Sequence, residues 1–389
     1  MHIAFVTGEY PPQPGGVGDY TRCLALALIE RSHRVSVLTI ADDYLQVIDP
    51  SQPAQPQRVR FTDWGWSSWR SVIEALDMVR PEVLHIQYQT GAYGMRPAIN
   101  LLPWRLKRLP TYPRIAVTAH DLLLPYLFPK AGPVRMWVTK RLLLDSDGVV
   151  VTNQADLAGA NRYGVTSPAL IPIGSNIAVA PPADYDRAAW RAQLGVADDE
   201  VLVAYFGLIS SSKGVHTLLD ALERLPKRVR LLVVGGAATQ PQDRAYAAEI
   251  EQRIAERGLG ERVRITGHCD ESSVSAHLLA ADLAALPFTD GASFRRGSLL
   301  AALAHGLPVV TTASAPTPSV PGVPSLLDGV NTLLVPPEQP EALAQALERL
   351  MNDQLLRQRV AEGGRALAGQ FSWESIAAQH EQFYGQLLR

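Results

Sequence analysis

The stretch DGASFRRGSLLAALAHGLPVVTT, residues 290–312, follows an apolar run at 283–288 that has the composition of a buried strand. The pattern predicts a helix over 298–304, with Ser298 as its N-cap and Gly306 as its stop, and a β-branched strand directly afterwards. A strand, a polar loop, a helix and another strand form the repeating unit of an open α/β sheet. The stretch therefore predicts the fold class of the chain around it.

The loop inside this stretch carries two adjacent arginines, Arg295 and Arg296, flanked by Ser293, Gly297 and Ser298. Guanidinium groups and backbone N–H groups at the start of a helix suit an anionic ligand. Open α/β sheets also bind their ligands at the carboxyl ends of strands. The loop is therefore a candidate anion site, although two solvated loop arginines would give the same pattern.

Length and composition indicate a two-domain globular protein. The 389 residues exceed one ordinary hydrophobic core, and 47% of them are hydrophobic against 19% charged. The formal net charge of -2 means that any attraction to anions is local. Cys23 and Cys269 are too few for a disulfide framework or a structural zinc site, which favours a reducing compartment.

The N-terminal sequence MHIAFVTGEYPP lacks the basic region and the apolar core of a secretory signal. No stretch reaches the ~18 to 20 unbroken apolar residues that span a bilayer. We expect a cytoplasmic protein, which could still lie on the inner face of the cytoplasmic membrane.

Residues 95–141 are strongly basic, with nine lysines and arginines against one acid, Asp121. The basic residues are Arg96, Arg105, Lys107, Arg108, Arg114, Lys130, Arg135, Lys140 and Arg141. Between them lie Trp104, Tyr112, Tyr126, Phe128, Met136 and Trp137. Basic residues mixed with such side chains suit an anionic lipid surface or a lipid-phosphate substrate. Two ordinary helices with basic outer faces are the alternative.

The N-terminal pattern is a strand at 3–7, the turn-rich loop GEYPPQPGGVGDY and an amphipathic helix at 20–31. The spacing of Gly15, Gly16 and Gly18 does not match the dinucleotide fingerprint, so a hydride-transfer cofactor is not expected. Glycines let the backbone approach a ligand closely, although a plain surface turn would use them as well.

Short apolar runs recur along the rest of the chain and predict two sheets. Strands are predicted at 35–40, 83–87, 115–118 and 148–152, with an exposed loop at 50–57 and a helix at 69–79. A Pro- and Asp-rich linker at 171–186 is followed by strands at 201–206, 230–234, 263–266, 283–288, 309–312 and 332–335. Helices are predicted at 187–194, at 215–225, at 341–351 as the last of the second domain, and at 371–389. We expect mostly parallel sheets with helices on both faces and a cleft between the two α/β halves.

These motifs, taken in order, resemble the retaining nucleotide-sugar glycosyltransferases of family four (glycosyl transferases group 1). The motifs are GGVGDY at 15–20, TAHD at 118–121, IPIGSN at 171–176, FGLISSSKG at 206–214, TGHCD at 266–270, AALAHGLPVVTT at 301–312 and DGVNTLLVPP at 328–337. The resemblance implies the α/β GT-B fold, in which two Rossmann-like domains face each other across a deep interdomain cleft. It places an acceptor domain at 1–177, a nucleotide-sugar donor domain at 178–370 and a C-terminal helix at 371–389 that packs across to the N-terminal domain.

The resemblance also implies roles for individual residues. Lys213 would meet the donor diphosphate and offset the charge on the leaving nucleotide, and His120 would face the transferred sugar or the acceptor, so both are catalytic candidates. The implied donor-binding residues are Gly15, Gly16, Lys213, Gly235, His268, Ser293, Arg295, Arg296, Gly297 and Ser298. No cofactor and no metal are expected, because the DSD at 145–147 and the DYD at 184–186 read as helix-end and turn residues.

Three positions depart from the family pattern. Two glutamates of the family fall at Ser293 and Ala301, and the second of them usually holds the ribose hydroxyls. An arginine that usually accompanies the phosphate-binding lysine falls at Leu208. We expect Arg295 or Arg296 to replace it from the neighbouring loop.

The sequence therefore predicts a glycosyltransferase that moves a sugar from a nucleoside diphosphate to a hydroxyl acceptor with retention, in polysaccharide or glycolipid assembly. The missing glutamates leave a catalytically silent nucleotide-sugar-binding subunit as the alternative; a nucleotide-sugar epimerase fits the motif order less well. The expected partners are the nucleotide-sugar donor, a saccharide or lipid-linked saccharide acceptor and, through residues 95–141, an anionic membrane surface. No nucleic acid partner is expected.

Overall fold

The computed structural model describes residues 1–13, 15–40, 57–61, 63–122, 132–175, 177–236, 241–314 and 324–389. The chain divides into two compact units. The first contains Met1–Gly174 and Trp373–Arg389, and the second contains Ser175–Ser372. The chain therefore leaves the first unit once and returns to it with its last helix.

The first unit is built on a seven-stranded parallel sheet. Its strands are β1 (His2–Thr7), β2 (Arg34–Ile40), β3 (Gln57–Phe61), β4 (Val83–Tyr88), β5 (Arg114–Ala119), β6 (Gly148–Val151) and β7 (Ala169–Leu170). Their order across the sheet is β3-β2-β1-β4-β5-β6-β7, and Ile3 pairs with Val35 on one side and with Val83 on the other. Strands β1 and β4 are buried along their whole length, as expected for a sheet that helices cover on both faces.

Helices cover the two faces of this sheet unequally. They are α1 (Gly16–Glu30), α2 (Ser68–Val79), α3 (Leu102–Leu106), α4 (Gly132–Asp145) and α5 (Gln154–Tyr163). Side chains of α2 to α5 share one core with Ala4 and Val6 of β1, whereas α1 shares another core with Ile3 and Phe5. Because successive strand residues point to opposite faces, α1 lies on the face opposite to α2–α5.

The second unit repeats this plan with six parallel strands. They are β8 (Val201–Phe206), β9 (Val229–Val234), β10 (Val263–Ile265), β11 (Leu283–Leu286), β12 (Val309–Thr312) and β13 (Leu333–Val335), in the order β10-β9-β8-β11-β12-β13. The helices are α6 (Arg187–Gln193), α7 (Val215–Arg224), α8 (Pro241–Glu256), α9 (Glu271–Ala280), α10 (Gly297–Ala304), α11 (Pro340–Asn352) and α12 (Gln354–Gly369). The strand order reverses between β1 and β4 and again between β8 and β11. Such reversal points are where open α/β sheets bind ligands.

The last helix, α13 (Trp373–Leu387), belongs to the first unit. Its residues Ile376, Phe383 and Tyr384 are buried in the core that contains Ile3 and Phe5. It therefore covers the same face of the first sheet as α1.

The α/β fold class predicted from the sequence is confirmed, but several elements were not predicted, among them β3, β7 and α12. Strand β3 begins at Gln57, the last residue of the predicted loop; residues 50–56 lie outside the described part of the chain. Strand β7 has only two residues. Helix α12 follows the helix that was predicted to end the second domain. It was missed because Gly363 and Gly364 have low helix propensity. Glycine is needed at 363 because a Cβ there would lie 2.2 Å from the backbone oxygen of Val330. In the described residues, every helix falls short of the length and apolarity that a bilayer-spanning segment needs.

Candidate functional site

Loops of the second unit meet where β8 and β9 end. Gly207 follows β8 with a φ of 136°, and Gly235 follows β9 with a φ of 130°, a region that glycine occupies readily. A Cβ on Gly235 would lie 2.3 Å from the carbonyl oxygen of Gly207, and a Cβ on Gly207 would lie 3.8 Å from the Cβ of Ser298. The structure thus brings the predicted residues Gly235 and Ser298 to the same end of the second sheet.

Lys213 lies on the loop after β8, against the end of β11. It ends a 3-10 turn over Ser211–Lys213, and Gly214 follows with a φ of 67°. A Cβ on Gly214 would meet the carbonyl oxygen of Pro287 at 1.9 Å, so only glycine allows this close approach. The Nζ atom of Lys213 lies 5.2 Å from the centroid of the Phe288 ring.

Arg296 reaches the same aromatic ring from the start of α10. Its Cζ atom lies 4.7 Å from the Phe288 centroid, its side chain is 16% exposed, and it forms an ion pair with the exposed Asp290. Burial, followed by the positive charge of Arg296, lowers the pKa of Lys213 to about 8, while Asp290 acts in the opposite direction. Two cations therefore share a partly desolvated site, and an anion bound there would favour the charged form of the lysine.

The start of α10 differs from the sequence prediction. The helix begins at Gly297, Arg296 takes the N-cap position with extended backbone, and no side chain caps the helix, so the prediction of Ser298 as N-cap is wrong. The physical reason is that the Arg296 carbonyl already accepts the N–H groups of Leu299 and Leu300. The N–H groups of Gly297 and Ser298 have no hydrogen-bond partner among the described residues. These two donors are therefore available to an anion at the helix start.

The two adjacent arginines lie in different environments. Arg295 is exposed and forms no ion pair with the described residues, whereas Arg296 lies beside Lys213. Leu208, where the family has an arginine, is 53% exposed, and its carbonyl accepts from the Tyr205 hydroxyl at 2.9 Å. Of the two arginines that were expected to compensate, Arg296 has the geometry to act with Lys213.

The remaining predicted positions of the second unit are placed as follows. Ser293 is half-buried and its carbonyl accepts the Arg296 N–H at 3.0 Å. His268 is exposed in the turn after β10, next to Gly267, whose backbone pairs with Gly235. Ala301 is fully buried inside α10. The side chain at 301 therefore fills the core.

The glycine loop of the first unit contains a carboxylate that sequence reasoning missed. The Oε1 atom of Glu9 accepts from the N–H groups of Val17 at 2.9 Å and Gly18 at 3.4 Å, at the start of α1. A Cβ on Gly15 would lie 2.0 Å from the carboxyl carbon of Glu9, whereas one on Gly16 would meet open space. Gly15 thus makes room for a capping side chain, and Gly16 is the open position of the loop. An acid in the turn before the predicted helix was the signal for this cap.

His120 directly follows β5 and is 7% exposed. Its N–H donates to the Tyr88 carbonyl at 2.9 Å, its Nε2 lies 2.9 Å from Oε1 of Gln87, and the ring of Tyr20 contacts it edge-on with centroids 4.6 Å apart. Burial, followed by the charge of His380, lowers the pKa of His120 to about 3. His120 is therefore a neutral hydrogen-bonding group at physiological pH.

Sequence reasoning also missed a connected group of aromatic and histidine side chains that begins at His120, because distant elements supply them. They are Tyr20 on α1, His85 on β4, and His380 and Tyr384 on α13. Nδ1 of His85 lies 2.6 Å from the Tyr384 hydroxyl, Nε2 of His85 lies 2.8 Å from the Thr118 hydroxyl, and Nε2 of His380 lies 3.4 Å from the Tyr20 hydroxyl. Burial lowers the pKa of both histidines, that of His380 to about 4. A histidine and a glutamine in the otherwise apolar run VLHIQ were the only local signal.

Three of the four aspartates with DxD spacing make contacts within the fold. Asp145 pairs with Arg141 and Asp147 pairs with Lys107, both at 2.8 Å. Asp186 caps α6 through its side chain. In the described part of the chain, no three histidine, cysteine or acidic side chains are grouped to hold a metal ion.

Comparisons with known proteins cover both units. The model of a glycosyl transferase 4-like domain matches residues 15–174, and that of glycosyl transferases group 1 matches residues 200–353. The D-inositol 3-phosphate glycosyltransferase of Xylanimonas cellulosilytica is 34% identical over 214 residues, which are 54% of this chain and 48% of that protein. The match thus spans about half the length of this curated relative.

Solved structures match over nearly the whole chain. Sucrose-phosphate synthase from Thermosynechococcus elongatus has a TM-score of 0.69 and 26% identity, with 100% of this chain and 99% of that chain covered. The Anabaena protein HepE in complex with UDP has a TM-score of 0.77 and 23% identity, with 99% and 100% covered, a likeness that shows the fold. One glycosyltransferase family model matches within each unit, and these structures share the fold. The chain therefore belongs to the group 1 glycosyltransferases and has their two-domain GT-B fold.

Proposed function

We propose that the chain is a glycosyltransferase that moves a sugar from a nucleoside-diphosphate sugar to a hydroxyl acceptor with retention of configuration. The observation that carries this proposal is the position of Lys213 and Arg296 on one ring, that of Phe288. The N–H groups of Gly297 and Ser298, which have no hydrogen-bond partner in the described part of the chain, directly follow Arg296. Two cations and two amide donors at the strand ends suit a diphosphate and would stabilise the charge that develops on it as it leaves.

Nucleotide binding tests this site directly. HepE was solved with UDP and with UDP-glucose, so UDP is the first nucleotide to try, followed by GDP, ADP and TDP. A nucleotide at ~100 times its dissociation constant adds about 2.7 kcal/mol, which is visible as a melting shift. We expect a shift with one nucleotide that Lys213→Ala abolishes, that Arg296→Ala reduces and that Arg295→Ala, the exposed neighbour, retains. No shift with any nucleotide would contradict the donor site.

The proposal includes retention and independence of metal ions. Lys213 and Arg296 would supply the positive charge next to the diphosphate that a metal ion supplies in metal-dependent enzymes. Turnover should therefore survive EDTA, and proton NMR of the product should show the anomeric configuration of the donor. Activity that EDTA removes and Mg²⁺ restores, or an inverted product, would refute these parts of the proposal.

A catalytically silent binding subunit is the second candidate. It is favoured by the fully buried Ala301, which offers no hydrogen bond where the family has a carboxylate. An active transferase usually hydrolyses its nucleotide-sugar donor slowly when no acceptor is present, because water replaces the acceptor hydroxyl. Release of free sugar from the bound donor, lost in Lys213→Ala, supports the transferase; binding without any release supports the silent subunit.

We propose further that the acceptor is lipid-linked and that α4 contacts an anionic membrane. Val134, Met136 and Trp137 of α4 are 64%, 44% and 55% exposed, and Lys140 is exposed as well. Exposed apolar and aromatic side chains beside a cation suit the headgroup region of an anionic bilayer. Not every basic residue of 95–141 is free to contact lipid headgroups, because Lys107 and Arg141 form ion pairs with Asp147 and Asp145. Tyr126, Phe128 and Lys130 lie outside the described residues.

Sedimentation with vesicles tests this surface. We expect the chain to bind phosphatidylglycerol vesicles more strongly than phosphatidylcholine vesicles, and Val134→Ser/Trp137→Ser to weaken that binding. Leu355→Ser is the matched control, because Leu355 is 73% exposed on α12 of the other unit. Equal binding by all three proteins would contradict a role for α4.

A further inference from the structure

Gln87 is a fully buried polar side chain at the end of β4. Its Oε1 lies 2.9 Å from Nε2 of His120, and its amide nitrogen has no hydrogen-bond partner among the described residues. An apolar side chain would fill the same space without a buried, unpaired donor, which is costly. Its interaction with His120 is therefore the feature that explains a glutamine here.

The ring of His120 is held from several sides. Its backbone is fixed by the bond to the Tyr88 carbonyl, and Tyr20 packs edge-on against the ring at an interplanar angle of 79°. Nδ1 of His120 has no hydrogen-bond partner in the part of the chain that the structure describes. A neutral imidazole carries one proton, so a proton held at Nε2 leaves Nδ1 as an acceptor.

We propose that Gln87 is a positioning residue that accepts the Nε2–H of His120 and fixes this tautomer, so that Nδ1 accepts a hydrogen bond from a hydroxyl group of the bound sugar. The identity of the ligand rests on the proposed function; the tautomer does not. A hydroxyl that donates to Nδ1 keeps its own oxygen lone pairs for other donors. His120 then orients a sugar by hydrogen bonding and carries no charge.

The titratable groups around His120 are His85 on β4, His380 on α13 and the Tyr20 phenol on α1, and Asp121 follows it in the chain. With a pKa of about 3, His120 stays neutral between about pH 5 and pH 8. Gln87→Glu places a carboxylate at the position of the amide. A carboxylate favours the imidazolium, so this variant raises the pKa of His120.

Nitrogen-15 NMR of the full chain, labelled at histidine, tests the tautomer. The His120 signals are assigned among the nine histidines by comparison with His120→Gln. We expect wild type to carry its proton on Nε2, Gln87→Leu to lose this single tautomer, and Gln87→Glu to titrate between about pH 5 and pH 8. Thr118→Val is the matched control: Thr118 is equally buried, but its hydroxyl bonds to His85, so His120 should keep the wild-type tautomer.

Hydrolysis of UDP-glucose supplies a second measurement. Loss of one orienting hydrogen bond in Gln87→Leu should lower kcat/KM about tenfold, with no comparable loss in Thr118→Val. A proton on Nδ1 in wild type, or an unchanged tautomer in Gln87→Leu, overturns the proposal; Gln87→Met replaces Gln87→Leu if that variant does not fold. A correct tautomer without turnover of any nucleotide sugar would sink the proposed function alone.

Discussion

The pKa of Lys213 predicts that binding of the proposed diphosphate ligand depends on pH. This pKa is about 8, and a bound diphosphate would raise it, because an anion favours the ammonium form. Binding above pH 8 therefore takes up a proton, and affinity should fall with rising pH by up to about tenfold per pH unit. Titration calorimetry of UDP from pH 7 to pH 9, in two buffers of different ionisation enthalpy, measures both effects.

Variants of the two arginines separate local charge from overall charge in this experiment. Arg296→Ala removes the like charge that lowers the pKa of Lys213, so the loss of affinity should begin at higher pH. Arg295→Ala removes the same formal charge from an exposed position and should leave the onset at wild-type pH. An onset that both variants shift equally would show that Arg296 does not act on Lys213 specifically.

Glu9 and Gly15 form a second coupled pair at the residue scale. Gly15→Ala would place a Cβ in the space of the Glu9 carboxylate and displace it from the N–H groups of Val17 and Gly18. We expect Gly15→Ala and Glu9→Ala each to cost about 1 kcal/mol of unfolding free energy, the value of a helix cap. In the double variant the second change should cost much less, because the cap is already lost. Urea unfolding measures all four proteins, and additive losses would contradict the coupling.

At the scale of elements, α13 is joined to the first sheet by neutral histidines. The pKa values of His85, His120 and His380 all lie below the unfolded value of 6.5. Below about pH 6.5 the unfolded chain therefore binds more protons than the folded chain, and stability falls as pH falls. Each such histidine contributes up to about 1.4 kcal/mol per pH unit, down to its folded pKa.

His380→Gln isolates the contribution of α13 to this acid sensitivity. Other histidines with lowered pKa values add to the total slope, so the informative quantity is the difference between variant and wild type. We measure the unfolding free energy in urea between about pH 5 and pH 6.5. Its slope against pH should decrease by the amount that one proton contributes, about 1.4 kcal/mol per pH unit. An unchanged slope would mean that His380 is already protonated in the folded protein.

Elements differ in how far the sequence predicted them. Strands β8 and β12 have the predicted bounds, because a continuous apolar run and a β-branched run, respectively, indicate buried strands. Helix α12 was missed, because Gly363 and Gly364 lower its intrinsic propensity and tertiary packing compensates for this loss. The N-cap of α10 was predicted at Ser298, because a serine side chain can accept a hydrogen bond from the first helical N–H groups. In the structure the N-cap is Arg296, whose backbone carbonyl accepts the N–H groups of Leu299 and Leu300.

At the scale of the whole molecule, the chemistry of the site was less predictable than the fold. Arg296 was named from the local sequence and Lys213 from the family resemblance, but their shared contact with Phe288 depends on how the loops after β8 and β11 pack. The surroundings of His120 combine α1, β4 and α13, which lie up to 360 residues apart in the chain. The hydrophobic periodicity of the sequence predicts each of these elements separately. It does not predict which of their side chains come into contact in the fold.

The division of the chain predicts that only the second unit folds by itself. Residues 175–372 form one continuous unit with its own core, whereas the first unit needs both ends of the chain. Without α13, the first sheet loses the burial of Ile376, Phe383 and Tyr384, which contributes about 2 kcal/mol for each side chain. This loss of about 6 kcal/mol is comparable to the whole stability of a small domain.

Excised fragments test this division. We expect fragment 175–372 to melt cooperatively by circular dichroism and to be stabilised by the nucleotide that stabilises the full chain, since Lys213, Arg296 and the start of α10 all lie within it. Fragment 1–174 should be unfolded or aggregated, and adding residues 373–389 through a flexible linker should restore its melting transition. A linker followed by a scrambled 373–389 sequence is the control. A cooperative transition of fragment 1–174 alone would show that α13 is dispensable for the first unit.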